Sequence, residues 1–523
     1  MKTNINRIIA VLLLSLPFAS CVDDLNQYPN VEETSASVYT SPEGYKSVLG
    51  KLYASFVIAG QEQGGGNQDI SSNTGYDYMR CYFNLQEAGT DEVACTWLKN
   101  ENIADLTYLS WDANDPWVSD MYYRIYFTIA LSNELIRNAS DEAISGFSTD
   151  EQAEIVDYRN EARFLRALAY YHAMDLFHNI PFVTENDPVG AYAPPRYEMK
   201  DVFAYIETEL KTIQADLPTA AEQEYGRASK SAAWTLLAKL YLNAEVYTAE
   251  ARYTDCISYC QMVMGQGFSL EGDYKKLFNA DNHLRTNEII FAFPVDAEKT
   301  TSWGATTYII CGGASIAKDA DYLASLGLDD GWDNLRLRGN IPTLFEEGDG
   351  RALFYTDGQT QSVSTMTDAS NGYLTMKWSN LTDAGKQASN TQSYGVNTDF
   401  PVFRLADVYL MLAESVLKGG TGSSTTAALT AVNDLQERAF GTGYTPITTL
   451  TADFILAERA RELLWECTRR TDLVRHGKFT TNTYVWEWKG GVQAGQAVNA
   501  KYNYYPIPST DLTANPNLSN PEY

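Results

Sequence analysis

The sequence predicts a mainly α-helical protein, built from stacked helical hairpins of the tetratricopeptide type and joined to a loop-rich region with short strands. Three observations carry this expectation. Four successive apolar stripes repeat at helical spacing between 151 and 265. A stretch at 268–400, dense in Gly, Asn, Asp, Ser and Thr, replaces that pattern with short β-rich runs. The 523 residues are 45% apolar and 20% charged, a balance that suits a globular chain with a large core.

In chain order, Lys2 and Arg7 precede an almost unbroken apolar run from Ile8 to Leu16. The run is shorter than the roughly 20 residues a spanning helix needs, so residues 1–20 read as a secretory signal peptide. Phe18-Ala19-Ser20-Cys21 sets small residues directly before a cysteine and looks like the lipobox of bacterial lipoproteins. In that motif the cysteine is acylated and becomes the first mature residue; Phe18 stands where Leu, Val or Ile is usual. Several acyl chains together anchor a protein stably where one alone is marginal.

The first helical stripe runs through Ile155, Tyr158, Ala162, Leu165, Ala169, His172 and Leu176, with Asn179 and Pro181 ending it. His172 lies on the apolar stripe and is expected to pack there. Phe203, Ile206, Leu210, Ile213 and Leu217 form the second stripe, closed by Pro218. The third is Ala233, Leu237, Leu240, Ala244 and Tyr247, with Ser229 as N-cap. Tyr253, Ile257, Cys260 and Met264 make the fourth, closed by Gly265 and Gly267. Small residues at close-approach positions (Ala169, Ala233, Ala238, Ala244) favour stacked hairpins, although the strict repeat consensus is absent.

Within 268–400, Glu288 to Phe293 reads as a strand. Helices are expected again at 403–418, 426–439 and 452–475, with a Gly- and Ser-rich linker at 419–424. Trp234 and Trp465 fall within predicted helices and are expected in the core. The tail, with Pro506, Pro508, Pro516 and Pro521, should be extended and pack back on the body. The even count of Cys81, Cys95, Cys256, Cys260, Cys311 and Cys467 could mean disulfides outside the cytoplasm, but Cys256 and Cys260 sit four apart on a helical apolar face, and buried free thiols are expected.

Charge and composition exclude several classes. With 39 Lys and Arg against 67 Asp and Glu, the formal charge is −28, so a nucleic-acid binder lacks its basic face. There are four histidines, and no HExxH, paired CxxC or Gly-rich Lys-Ser/Thr phosphate loop occurs. No catalytic residue, metal or cofactor is expected. Aromatic residues are plentiful, with 35 Tyr and 10 Trp.

Several blocks together resemble the SusD/RagB family of Bacteroidetes surface glycan-binding lipoproteins. Glu161, Arg163, Arg166 and Tyr170, continuing to Phe177 and Pro181, look like its N-terminal helix signature. Gly226, Arg227, Lys230 and Trp234 look like its second. Phe403, Arg404, Asp407, Tyr409 and Glu414 are similar to its C-terminal opening. Glu458, Arg459, Glu462, Arg470, Asp472 and Arg475 match the next block, and Pro506, Pro508 and Asn515 to Leu518 close the chain. Cys467 stands where the family usually has Gly. Val22 to Asn26 resembles the acidic stretch that marks such lipoproteins for the outer cell surface. The resemblance covers 21–523, which divides into an N-terminal helical region, 21–267, and a C-terminal region, 268–523, forming one compact unit. Glu462, Glu466 and Arg470, four apart, read as ion-pair support on one helix, and the charged cluster at 458–475 as a scaffold network anchoring the tail.

The resemblance extends into loops of the family's founding, starch-binding member. There an arc of three aromatic rings holds the glucan, helped by Arg and Asn. The corresponding positions look like Trp97, Trp303 and Trp332, with Arg80 and Asn100. Flat rings cover the C–H face of a sugar, while amide and guanidinium groups satisfy its hydroxyl edge. Trp303 stands where the founder has Tyr and Cys95 where it has Trp, and the stretch after Arg338 is shorter. The resemblance implies a non-catalytic lipoprotein, anchored in the outer membrane through Cys21 and facing the cell exterior. It would bind starch-like α-glucans and deliver them to a TonB-dependent transporter of the SusC type. The alternatives are another glycan on the same scaffold, such as fructan or mannan, and a glycoside hydrolase hidden among the 67 acids.

Overall fold

A computed structural model describes residues 35–62, 67–389, 395–441 and 443–523 of the chain. The expected signal peptide and the expected lipidation site, Cys21, lie outside the described residues.

The fold is mainly helical, as the stripes predict. Helices Pro116–Asn138 and Thr149–Phe177 pack against each other, and the second also carries Pro42–Ala54 and Met199–Ile213. Lys230–Leu242 packs on Tyr253–Met264, which in turn packs on Leu405–Leu417, and that helix on Thr425–Phe440 and Ala452–Glu462. Sequential hairpins thus stack into a helical array that buries one large core, with a second, smaller cluster among helices Leu405–Leu417, Thr425–Phe440 and Ala452–Glu462. The starts of these helices are chemically marked. Ser148 and Glu151 form a capping box, Asp115 accepts hydrogen bonds from the Trp117 and Val118 amides, and Ser229 caps its helix as expected.

The strands are short and paired two by two. Val93–Cys95 runs antiparallel to Leu335–Leu337, and Ile289–Phe293 to Phe400–Arg404. The tail returns to the body: the Tyr505 amide donates to the Leu176 carbonyl at 2.8 Å and its hydroxyl to the Leu85 carbonyl at 2.6 Å. The six cysteines among the described residues are buried and none of them is in a disulfide, and His172 is buried with its ring bonded to the Tyr78 hydroxyl at 2.8 Å. Burial pushes the His172 pKa down to about 3, so the ring is neutral.

Four expectations need correction. The predicted helix 452–475 is two helices, Ala452–Glu462 and Arg469–Arg475, because Trp465 and Cys467 adopt φ of +60° and +58° between them. Trp465 is therefore a buried residue of a turn, its amide donating to Glu92 Oε2 at 2.8 Å, and Glu462, Glu466 and Arg470 do not share one helix. The predicted helix 403–418 starts two residues late, since Phe403 and Arg404 complete a strand. The third stripe breaks at Asn243, leaving Ala244–Thr248 as a separate short turn of helix. Trp234 is only half-buried, its indole donating to Gln214 at 3.0 Å.

The charged block at 458–475 does form a scaffold network, and it is buried. Arg404 bonds Glu288, Glu462 and Glu466, Arg351 bonds Asp349, Glu458 and Glu462, and Lys377 bonds Glu466. Arg470, in the same block, pairs with Asp175 and donates to the Asn503 carbonyl of the tail.

Candidate functional site

Two strand segments bring remote tryptophans together. In the antiparallel pair, Val93 faces Leu337 and Cys95 faces Leu335, so Trp97 and Trp332 emerge side by side beyond the strand ends. Asn334 locks the junction, its side-chain oxygen accepting from the Thr96 amide at 3.0 Å and the Trp97 amide at 3.1 Å. The two rings stand 6.4 Å apart, tilted by 48°. The Trp97 indole donates to Asp333 at 2.5 Å, and the Trp332 ring rests 6.2 Å from Tyr308. Both tryptophans are half-buried.

Trp303 comes from a different loop and is 42% exposed. Its place is set by a clasp. Asp77 caps helix Tyr78–Phe83 by accepting from the Arg80 amide at 2.9 Å, and the same carboxylate accepts from the Ser302 hydroxyl and the Ala305 amide. Gly304 makes the clasp possible, since a Cβ there would lie 1.7 Å from Asp77 Oδ2. Burial raises the Asp77 pKa, against the pull of the Ser302 hydrogen bond.

Arg80 ties these pieces together from beneath. It is 2% exposed, with its guanidinium 3.5 Å from the Tyr76 ring centre and 4.0 Å from that of Tyr308. One terminal nitrogen donates to the Trp303 carbonyl at 2.8 Å and the other to Glu101 at 3.1 Å. The Trp332 ring centre is 5.7 Å from the same guanidinium. Glu101 also accepts from the Tyr76 hydroxyl at 3.0 Å, while its carbonyl accepts from the Trp117 indole at 2.7 Å. Asn100, in the turn beside Glu101, is exposed.

Of the five sequence-predicted residues, the Trp97 and Trp332 rings are neighbours, the Trp303 backbone joins them through Arg80, and Asn100 is exposed in the turn before Glu101. Trp97, Trp303, Trp332 and Asn100 are at least partly exposed, whereas Arg80 is buried and holds the Trp303 and Glu101 segments. Sequence reasoning gave no role to Asp77, Glu101, Asp333 or Tyr76. Asp77 and Asp333 contact partners more than 200 positions away, so no local pattern marks them.

A family model described as the SusD family matches residues 343–523. Another, described as "Starch-binding associating with outer membrane", matches residues 75–242, which contain Arg80, Trp97 and Asn100. The chain is 32% identical to starch-binding protein SusD of Bacteroides thetaiotaomicron over 98% of this chain and 97% of that one. The chain belongs to the SusD family. It is also 25% identical to SusD-like protein P25 of Formosa agariphila, with 98% of each chain covered. Solved structures share the family fold. A SusD superfamily protein of Parabacteroides distasonis superposes with a TM-score of 0.71 at 20% identity, covering 94% of this chain and all of that one. Surface glycan-binding protein A of Bacteroides thetaiotaomicron, solved with laminarihexaose, gives 0.69 at 17% identity, covering 92% and 99%.

Proposed function

We propose that this SusD-family chain is a non-catalytic surface protein that captures starch-like α-glucans on the arc of Trp97, Trp303 and Trp332. In this reading it is held to the outer membrane by acylated Cys21, faces the exterior, and hands its ligand to a TonB-dependent barrel transporter of the SusC type. The observation that carries the binding reading is the Trp97–Trp332 ring pair, with the exposed Trp303 loop tied to it through Arg80, in a chain 32% identical to a protein named for starch binding.

The chemistry supports capture rather than hydrolysis. Ring contacts worth about 0.5–1.5 kcal/mol each, with edge hydrogen bonds of similar size, give affinities from about millimolar to tens of micromolar after ordering costs. Glu92 (about 8), Asp115 (about 7) and Asp399 (about 6), three carboxyls raised by desolvation, are buried away from any solvent-borne polymer. Their perturbation follows from burial and does not build an acid–base pair on the surface.

Isothermal titration against maltoheptaose, amylopectin, pullulan, laminarihexaose, a fructan and a mannan tests the ligand. Preference for the first three supports the reading, and preference for a β-glucan, fructan or mannan replaces the ligand while keeping the binder. Release of reducing ends at a turnover rate would refute it outright. Cys21→Ala should yield a soluble or mislocalised protein of normal fold, and detergent extraction of outer membranes should recover the wild type with a large barrel.

A further inference from the structure

A cavity of about 600 Å³ opens beside helix Pro116–Asn138, between that helix, the 70–73 segment and the start of the C-terminal helix Ser509–Ala514. Its volume lies within the range of small-ligand sites. Tyr123 and Phe127, one helical turn apart and half-buried, give it two aromatic walls. Ser71, Asn73, Asn114 and Thr510 bring hydroxyl and amide groups to the same space, and none of the described lining residues is charged. In a chain with 20% charged residues and a formal charge of −28, a neutral lining of rings, amides and hydroxyls selects against ions. That combination matches a sugar, which offers an apolar C–H face and a neutral hydroxyl edge.

The walls are fixed. Tyr123 bonds the Thr510 hydroxyl at 2.6 Å and donates to Asp511 at 2.7 Å, and Ser509 donates to Asn114 at 2.5 Å. Asp120 holds the 72–74 segment, accepting from the Asn73 amide at 2.9 Å and the Thr74 amide at 2.6 Å. Lys51 lies 6.0 Å from the Phe127 ring centre and is paired with Asp69 at 2.7 Å. A second hollow of about 520 Å³, lined by Tyr123, Tyr126, Tyr192 and Asp511, adjoins the cavity at Tyr123 and stands apart from its neutral lining.

We infer that the neutral-lined trough is a second saccharide site, taking a short neutral oligosaccharide and separate from the tryptophan arc. It lies near the arc along one helix. The Arg80 guanidinium is 5.8 Å from the Trp117 ring centre, and from Trp117 to Phe127 the helix advances about 15 Å. Two sites on one rigid body would raise the effective concentration of a long polymer at the second once the first is filled.

The test removes the arc and asks what binding remains. Full-length Trp97→Ala/Trp332→Ala protein is examined by ligand-observed NMR with maltotriose, maltoheptaose and laminarihexaose. Ser71→Trp, which fills the trough from an exposed position, and Phe127→Ala, which removes one wall, are then added separately, with thermal melting as the check on folding. Saccharide binding that persists without the arc and weakens tenfold or more with either trough change supports the site. No residual binding to any of the three probes, or residual binding indifferent to both changes, overturns it. The arc reading is judged separately: it fails if the double arc variant binds maltoheptaose like the wild type, whatever the trough variants do.

Discussion

At Gly304 the absence of a side chain lets the buried Asp77 carboxylate close on the loop that carries Trp303. Gly304→Ala forces either an overpacking penalty of about 1–3 kcal/mol or a shift of the loop. The expected result is a several-fold loss of maltoheptaose affinity by titration calorimetry together with a lower melting temperature. Unchanged affinity would mean that the clasp does not set Trp303. Cys467 poses the opposite problem, a side chain where backbone geometry favours glycine, with φ at +58°. Left-handed backbone costs a non-glycine residue about 1–2 kcal/mol, whereas glycine loses about 0.5–1 kcal/mol of chain entropy. Cys467→Gly should therefore stay within about 1 kcal/mol of wild type in urea denaturation, and Cys467→Val should cost about 2 kcal/mol or more. Equal effects of the two would remove backbone strain as the explanation.

Whole elements were readable where one face is apolar. The stripe from Ile155 to Leu176 marks helix Thr149–Phe177, and Tyr253 to Met264 marks its helix end to end. Helix Tyr78–Phe83 is buried on every side, so it shows no period to read, although it carries Arg80. The break at 463–468 was hidden for another reason. Its apolar residues continue the helical pattern, while the turn is imposed by Glu92, which receives the Trp465 amide from far away in the chain. Likewise Phe403 and Arg404 sit in a strand because Ile289–Phe293 pairs with them. The tryptophan positions came from resemblance, since spacing alone does not separate a surface Trp from a core one. What welds the elements is the buried charge network. Glu462 faces Arg351, Arg404 and Arg438, which hold its carboxyl well below the usual range despite burial. Glu462→Gln leaves those cations short of a counter-charge and should cost about 3–5 kcal/mol by chemical denaturation. A loss below about 1 kcal/mol would show that the network does not hold the elements together.

For the molecule as a whole, opposing sets of shifted groups set the pH dependence of stability. Burial raises Glu92 to about 8, Asp115 to about 7 and Asp399 to about 6, against ordinary values of 4.5 and 3.8. These carboxyls keep protons that the unfolded chain releases, so their contribution is full near pH 4 and is lost as pH rises through 6 to 8. Glu414, Glu462 and Asp472, paired with arginines, are shifted down and stabilise only above about pH 4.5. His172, pushed from 6.5 to about 3, subtracts stability as pH falls below 6.5. The melting temperature should peak near pH 5 and decline toward both pH 8 and pH 3, and a steady rise up to pH 8 would contradict the buried, protonated carboxyls. The central claim, that the assembled fold presents a glucan-binding arc, is tested most directly by isothermal titration of maltoheptaose into folded Trp97→Ala, Trp303→Ala and Trp332→Ala. Each ring supplies about 0.5–1.5 kcal/mol of a weak total, so each loss should reduce affinity by up to about tenfold, with the melting temperature preserved. Wild-type affinity in all three would contradict the arc.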